Sequence, residues 1–205
     1  MDKAVERVLR AFEKRSAKET KVMDKMDDVE MQQHLDEFLL SVGPATGQLI
    51  NLLAKEIEAK TILEVGSSYG YSTVWLAEAA RDTGGKVISL EIHAGKQEHA
   101  RQAIKKAGLD GFVDFRMGEA QASLSKLKGA VDFVLLDLWK KFYVACFDLF
   151  YPKLRPGALV IADNMIYPES ARRYAEAYRK HIRKKPGIQS VLLPVGSGLE
   201  LTRYK

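Results

Sequence analysis

The sequence has little of what stabilises small secreted proteins or anchors a chain in a membrane. It contains one cysteine, Cys146, in 205 residues, so it cannot form an internal disulfide. Its most apolar stretch, residues 131–139, carries two aspartates, and nowhere does the chain approach the ~20 uninterrupted apolar residues of a membrane-spanning helix. The N-terminal residues MDKAVERVLRAFEKR are charged where a signal peptide would be apolar. We therefore expect a cytoplasmic protein.

The excess of one charge over the other is also small: 32 lysines and arginines against 27 acidic residues leave a formal net charge of +5. Much of this excess falls on one basic run, at Arg172, Arg173, Arg179, Lys180, Arg183, Lys184 and Lys185. Apolar residues recur in and before the run at three- and four-residue steps, at Ala171, Tyr174, Tyr178 and Ile182. This spacing is typical of an amphipathic helix that turns its charges to water. A solvated face is our first interpretation, and an anion-binding face is the alternative.

The composition gives no sign of a boundary between two domains. With 46% hydrophobic residues, a chain of this length can bury an ordinary core. Apolar residues before Thr61 recur at helical spacing, and Gly43-Pro44 interrupts that pattern once. We predict one domain over residues 1–205, with a helical cap over 1–60 and a core over 61–205.

From Thr61 onward, apolar runs alternate with segments of helical spacing, which is typical of a parallel sheet covered by helices. We predict seven strands, at residues 61–65, 86–90, 113–116, 131–136, 158–162, 190–194 and 199–204. Only Val195-Gly196-Ser197-Gly198 separates the last two, which favours an antiparallel hairpin at the end of the sheet. The predicted fold class is α/β, with a doubly wound and mostly parallel seven-stranded sheet.

The first candidate site is a glycine-bearing loop, residues 66–70, between a strand and a helix. At such a position a glycine lets the backbone approach a ligand, and the helix N-terminus presents free N–H groups. The dinucleotide pattern G-x-G-x-x-G is absent, whereas Glu64, Gly66 and Gly70 match the E-x-G-x-x-x-G pattern of S-adenosylmethionine (SAM) sites. We assign Gly66, Ser67 and Gly70 to this cofactor loop. A purely structural turn between strand and helix is the alternative.

The second candidate is Glu91, at the end of the next predicted strand. An acid about 20 residues beyond a glycine loop is placed to accept hydrogen bonds from both ribose hydroxyls of a nucleotide-like cofactor. The alternative is a solvated or helix-capping glutamate.

The third candidate is a set of oxygen donors that follow two further strands. Asp137 follows the strand at 131–136, and Asp163 and Asn164 follow the strand at 158–162. Because the carboxyl ends of parallel strands meet at one edge of a sheet, we expect these side chains to converge. Such an all-oxygen set suits a hard cation, Mg²⁺ before Ca²⁺ or Mn²⁺. Helix-capping aspartates are the alternative, although capping explains neither Asn164 nor Lys140.

Together these motifs resemble those of metal-dependent class I SAM O-methyltransferases of the catechol and caffeoyl-CoA type. The similar positions extend from about Val42 to the C-terminus, and they read V-G-P-A-T-G-Q, I-L-E-V-G-S-S-Y-G-Y-S-T, Glu91, M-G-E-A ending at Ala120, D-F-V-L-L-D-L-W-K and A-D-N. The resemblance implies the Rossmann-like class I methyltransferase fold, Mg²⁺ binding by Asp137, Asp163 and Asn164, and Lys140 as general base. It also implies a substrate-side tryptophan at Trp139 and SAM contacts at Val42, Glu64, Gly66, Ser72, Glu91, Ala120 and Asp137.

Two positions depart from the family pattern. Catechol methyltransferases commonly have His at the position of Leu138, and many caffeoyl-CoA relatives read G-D-G where this chain has Gly196-Ser197-Gly198. Neither position belongs to the expected metal set. Because of these two differences, the resemblance does not assign this chain the specific acceptor of either branch.

The resemblance implies methyl transfer from SAM to a hydroxyl of a vicinal dihydroxy aromatic molecule, and homodimers are frequent in this group. One alternative is an RNA methyltransferase, which the basic run favours and the metal set disfavours. Another is a non-catalytic SAM-binding protein, which would have no use for Lys140. An NAD dehydrogenase is disfavoured, because the glycines of its fingerprint are missing. We expect a small-molecule partner and no nucleic acid or membrane partner.

Overall fold

The first sixty residues contain three α-helices. The computed structural model describes the whole backbone, and the side chains of all residues except Asp28, Met31, Gln32 and Leu35. The helices are α1 (Lys3–Met23), α2 (Asp28–His34) and α3 (Gly43–Glu56). The carboxylate of Asp2 accepts the N–H groups of Ala4 and Val5 and so caps α1. Pro44 stands in the first turn of α3, where the missing N–H costs nothing.

A seven-stranded sheet forms the centre of the molecule, which confirms the predicted fold class. Its strands are β1 (Thr61–Val65), β2 (Lys86–Glu91), β3 (Val113–Met117), β4 (Val131–Leu136), β5 (Leu154–Ala162), β6 (Ile188–Leu193) and β7 (Leu199–Tyr204). The order across the sheet is β3-β2-β1-β4-β5-β7-β6, with β7 antiparallel to both β5 and β6. The predicted C-terminal hairpin is therefore confirmed.

The predicted start of β5 at Ala158 is wrong. The strand begins at Leu154, because Leu154 pairs with Val131 before the register shifts between Val131 and Phe133. Pro156 and Gly157 are turn signals in the sequence, yet this irregular pairing accommodates them inside the strand.

Five more helices cover the sheet: α4 (Tyr71–Thr83), α5 (Ala94–Lys106), α6 (Ala120–Ser125), α7 (Tyr143–Phe150) and α8 (Arg172–Ile182). Successive strand residues point to opposite faces, so Ile62 and Leu63 belong to two different cores. Apolar residues of α1, such as Phe12, lie in the core of Ile62. This packing supports one domain, which stays a prediction. In the part of the chain that is described, no helix has the length and apolarity to cross a membrane.

The basic run covers α8 and the three residues that follow it, and several of its charges are paired instead of solvated. Glu200 of β7 is fully buried, and its carboxylate accepts hydrogen bonds from Arg179 at 3.0 Å and from Arg183 at 2.7 Å. Lys185 pairs with Asp148 at 2.6 Å. A solvated face therefore describes only part of the run, because a buried carboxylate needs a cation nearby.

Candidate active site

Backbone hydrogen bonds bring the motif residues to one edge of the sheet. The N–H of Gly66 donates to the carbonyl of Leu90 at 3.0 Å, and that of Asp137 donates to Val65 at 2.9 Å. The N–H of Asp163 continues the series by donating to Leu136 at 3.1 Å. The glycine loop and both aspartates therefore follow neighbouring strands along the carboxyl edge, where parallel sheets bind ligands.

Glu64 lies fully buried under the glycine loop. Its Oε1 accepts the Ser72 hydroxyl at 2.7 Å, and its Oε2 accepts those of Thr73 at 2.7 Å and Ser89 at 2.6 Å. Burial raises the pKa of Glu64 to about 7, with a further contribution from Asp137, while the three hydroxyls oppose the rise. Glu64 thus fastens the start of α4 to β1 and β2. Its role as a direct cofactor contact stays a prediction.

The buried Glu64 should make folding stability depend on pH. A carboxyl whose pKa rises from 4.5 to about 7 on folding stabilises the folded state fully below pH 4.5, and this contribution disappears as the pH rises through 7. We expect the free energy of unfolding of the wild type, relative to Glu64→Gln, to fall by about 3 kcal/mol over this interval. Urea unfolding at pH 4.5 and 7.5 measures the difference. The exposed Glu98→Gln is the control, and parallel pH profiles for wild type and Glu64→Gln would contradict the prediction.

The two glycines of the loop are required because other parts of the protein approach their Cα atoms closely. Gly66 has φ +94°, and a Cβ there would overlap the carbonyl oxygen of Asp137. Gly70 has φ +97°, and a Cβ there would stand 2.6 Å from the Cβ of Ala100. Both positions therefore need glycine for its backbone conformation and for its missing side chain. Between them, Ser67 is buried, and its hydroxyl has no partner among the described residues.

Glu91 is tied to the same loop through backbone donors. Its Oε2 accepts the N–H of Ser68 at 2.7 Å, and its Oε1 accepts those of Ile92 at 2.8 Å and His93 at 2.9 Å. The N–H of Gly118 donates to the Glu91 carbonyl at 2.9 Å. These bonds fix the carboxylate between the glycine loop and the segment that leads to α6. The predicted ribose contact stays a prediction.

The remaining predicted cofactor residues lie where helices begin. Val42 is buried and immediately precedes α3, and the half-buried Ala120 is the first residue of α6. The sequence reasoning gave no role to two apolar residues nearby, Ile92 and Met117, whose side chains are 55% and 62% exposed. Met117 pairs with Glu91 in the β2–β3 register, so both residues stand at the ends of these strands. Large apolar side chains exposed beside a polar loop are typical of a ligand surface.

The two aspartates form an acidic pair, of which Asp163 is buried and Asp137 is partly exposed. Asp163 is 2% exposed, and its Oδ1 is buried without a partner among the described residues. Burial and the negative charge of Asp137 raise the pKa of Asp163 to about 7, and Lys140 opposes that rise. Lys140 Nζ lies 3.1 Å from Asp137 Oδ1. The structure therefore brings together the carboxylates and the lysine that the sequence placed in one motif set.

Asn164 and Tyr143 complete this arrangement. The backbone of Asn164 has φ +58°. Its Nδ2 donates to the carbonyl of Tyr167 at 3.1 Å, so its Oδ1 remains available as a hydrogen-bond acceptor or a metal ligand. Asparagine tolerates this left-handed conformation better than most residues. The hydroxyl of Tyr143, fully buried in α7, donates to the carbonyl of Asp163 at 3.2 Å. The sequence reasoning missed Tyr143, whose only signal was its position three residues after Lys140.

The donor set fits a hard divalent cation. An unpartnered carboxylate oxygen beside a second carboxylate is an unfavourable arrangement that a cation relieves. Two carboxylates and an amide offer only oxygen, which suits Mg²⁺. No group of three or more His, Cys, Asp or Glu side chains with metal-site geometry occurs among the residues whose side chains are described. The fit therefore depends on Asn164 as the third donor.

Exposed aromatic side chains flank the acidic pair in sequence. Trp139 is 53% exposed and precedes Lys140, while Tyr167 is 68% exposed and follows Asn164 on the same loop. Ile166, next to Tyr167 on that loop, adds an apolar side chain that is 49% exposed. Exposed aromatic groups next to a few polar groups are typical of a small-molecule pocket.

Comparisons with known proteins agree with this geometry. A family model described as O-methyltransferase matches residues 13–205. Catechol O-methyltransferase from Niastella koreensis is 37% identical over 131 residues, which are 62% of this chain and 59% of that relative. Caffeoyl-CoA O-methyltransferase 1 from Eucalyptus globulus is 30% identical over 185 residues, which are 80% of this chain and 75% of that relative.

A solved structure has the same architecture. The crystal structure of the O-methyltransferase from Bacillus cereus in complex with SAH superposes with a TM-score of 0.75 at 27% sequence identity. The superposition covers 95% of this chain and 100% of that one. The range matched by the family model includes every candidate site residue from Val42 to Asn164.

Proposed function

This chain belongs to the O-methyltransferase family, and we propose that it moves the methyl group of SAM to one hydroxyl of a vicinal dihydroxy aromatic molecule with the help of a divalent cation. The observation that carries the proposal is the pairing of the buried Asp163 with Asp137, whose Oδ1 lies 3.1 Å from Lys140 Nζ, on the same sheet edge as the glycine loop. A methyl donor and a chelated acceptor would meet at that edge.

The cofactor would occupy the edge formed by β1, β2 and β3. We assign the ribose hydroxyls to Glu91, whose carboxylate is already oriented by three backbone donors. Ile92 and Met117 offer apolar surface for the adenine ring. Gly66 and Gly70 let the loop backbone pack closely against Asp137 and Ala100. The donor's methionyl part would lie along this loop.

Asp137, Asp163 and Asn164 would hold Mg²⁺, which supplies Lewis-acid polarisation of a hydroxyl when bound. Two adjacent hydroxyls of a diol suit such an ion, because its octahedral shell accepts further oxygen ligands. Trp139 and Tyr167 provide exposed aromatic faces on the two loops that carry Lys140 and Asn164. These faces can orient the acceptor ring.

Lys140, as the neutral amine, would take the proton of the attacking hydroxyl and become an ammonium group. The O–H bond breaks toward Nζ, the oxygen forms a bond to the methyl carbon, and the carbon–sulfur bond breaks to leave a neutral thioether. Nζ donates a hydrogen bond to Asp137 Oδ1 at 3.1 Å, and this contact would keep it beside the proposed metal site. Holding the oxygen and the methyl group in line replaces a bimolecular encounter with an oriented one.

The ion pairs of the basic run argue against the RNA alternative. Arg179 and Arg183 neutralise the buried Glu200, and Lys185 pairs with Asp148, so much of the basic run is engaged within the protein. Phosphate binding needs cations that are free to replace counterions.

The proposed function is tested by methyl transfer from labelled SAM to catechol in Mg²⁺ and in excess chelator. We expect transfer with Mg²⁺ and a loss of at least about 100-fold with chelator, because the acceptor hydroxyl is then no longer polarised. A monohydroxy phenol is the matched control and should be a poor acceptor under both conditions. Calorimetric binding of SAM is measured in parallel. SAM binding without transfer to any vicinal diol would contradict the proposal and favour a SAM-binding protein or an RNA substrate.

A further inference from the structure

The turn between β6 and β7 is bonded to the loop that carries Asn164. The N–H groups of Ile166 and Tyr167 both donate to the carbonyl of Ser197, at 3.0 and 2.9 Å. The N–H of Met165 donates to the carbonyl of Gly198 at 2.9 Å. Three consecutive residues after Asn164 are thus held by two consecutive carbonyls of the turn.

Glycine is required on both sides of Ser197. Gly198 has φ +89°, and a Cβ there would overlap the Ile166 side chain and stand 2.7 Å from the Ile166 nitrogen. Gly196 has φ +56°, and a Cβ there would stand 2.6 Å from the Thr46 hydroxyl oxygen in α3. The turn is therefore packed between the start of α3 and the Asn164 loop, with no room for a side chain at either glycine.

The side chain of Asn164 is linked to the turn through the peptide groups of Tyr167. Its Nδ2 donates to the carbonyl of Tyr167, and the N–H of Tyr167 donates to Ser197. Asn164 itself adopts a left-handed backbone conformation, which the surrounding contacts must maintain. The orientation of the amide therefore depends on a peptide segment whose position is set by the turn.

We propose that the Gly196–Ser197–Gly198 turn is the positioning element for Asn164, and that its main-chain carbonyls fix where the amide oxygen stands relative to Asp137 and Asp163. The inference rests on the proposed function for the identity of the ligand, a divalent cation. It assigns the positioning to the backbone of the turn. Groups that orient a metal ligand commonly change metal affinity by about 10- to 100-fold when they are altered.

The first test is Mg²⁺ binding, measured by calorimetry without substrate. We expect Gly198→Ala to raise the Mg²⁺ dissociation constant by about 10- to 100-fold, because displacement of Ile166 moves the Asn164 loop. SAM affinity should stay within about twofold, since the glycine loop lies on other strands. In the activity assay, the KM for the diol should rise while that for SAM does not.

Gly187→Ala is the matched control. Gly187 has φ +74° and immediately precedes β6, at the opposite end of the hairpin, where an added Cβ would meet the ring of Tyr204. This variant introduces similar backbone strain without touching Ile166. We expect it to lose stability while keeping the wild-type Mg²⁺ affinity. Equal Mg²⁺ affinity for wild type and a folded Gly198→Ala protein would overturn the inference.

A second measurement uses the wild-type protein and does not depend on whether Gly198→Ala folds. The amides of Ile166 and Tyr167 should be protected from hydrogen exchange, and Mg²⁺ should increase their protection, because binding and local ordering are linked. Exchange at the rate of a free loop would overturn the inference. Absence of Mg²⁺ binding by the wild type would contradict the proposed function instead. In that case, the exchange rates of the Ile166 and Tyr167 amides still show whether the turn holds the loop.

Discussion

Asp163→Asn should lower kcat for methyl transfer by about 10²- to 10³-fold while leaving the folded protein at least as stable as the wild type. Asp163 is 2% exposed, and its Oδ1 has no partner among the described residues. Its carboxylate also faces the charge of Asp137. Asparagine keeps the shape and removes this repulsion, but it cannot neutralise a cation. Activity and stability should therefore change in opposite directions.

The two effects are separated by urea unfolding in chelator and in Mg²⁺. Wild type should gain stability when Mg²⁺ is added, because a ligand that binds only the folded state shifts the equilibrium. Asp163→Asn should gain little. The control is Asp148→Asn on α7, which removes a carboxylate from a surface ion pair with Lys185 and should keep both the rate and the response to Mg²⁺. Equal stabilisation of Asp163→Asn by Mg²⁺ would remove Asp163 from the metal set.

Lys140→Ala should lower kcat by about 10²- to 10⁴-fold with SAM affinity little changed, because the attacking hydroxyl loses its base. Lys140 also pairs with Asp137, so the loss of its charge could by itself disturb the acidic pair. Lys140→Arg separates these roles, since arginine keeps the positive charge and does not release its proton in proteins. If Lys140 is the base, both variants should be slow.

The neighbouring Lys141→Ala is the matched control, because Lys141 is exposed and lies over the ring of Phe142 at 4.9 Å. It should keep the wild-type rate. Single-turnover rates and calorimetric SAM affinities measure the effect on the chemical step apart from binding. A Lys140→Arg protein with near wild-type kcat would show that the side chain acts only as a counter-ion for Asp137.

The order of apolar runs along the chain was enough to predict the seven strands of the sheet. The strands at 61–65, 131–136 and 199–204 begin and end where the sequence predicts, because strand residues are rich in apolar and β-branched types and turns need glycine or polar residues. The start of β5 could not be predicted, since its pairing with β4 overrides the turn signal of Pro156-Gly157. The strand order is likewise a tertiary property, because it depends on which edges pair.

For the site, the sequence by itself determined which chemical groups follow the strands: Glu64 with the glycine loop, Glu91, Asp137, Lys140, Asp163 and Asn164. It determined them because strand ends are short, local features of the chain. Only the tertiary structure decided what each group contacts. In the folded protein, the buried Glu64 accepts hydrogen bonds from three hydroxyls, and two arginines of the basic run pair with Glu200. The loop that carries Asn164 is hydrogen-bonded to the turn of the C-terminal hairpin. These partners lie far apart in sequence, and only the packing of the sheet and helices brings them within hydrogen-bonding distance.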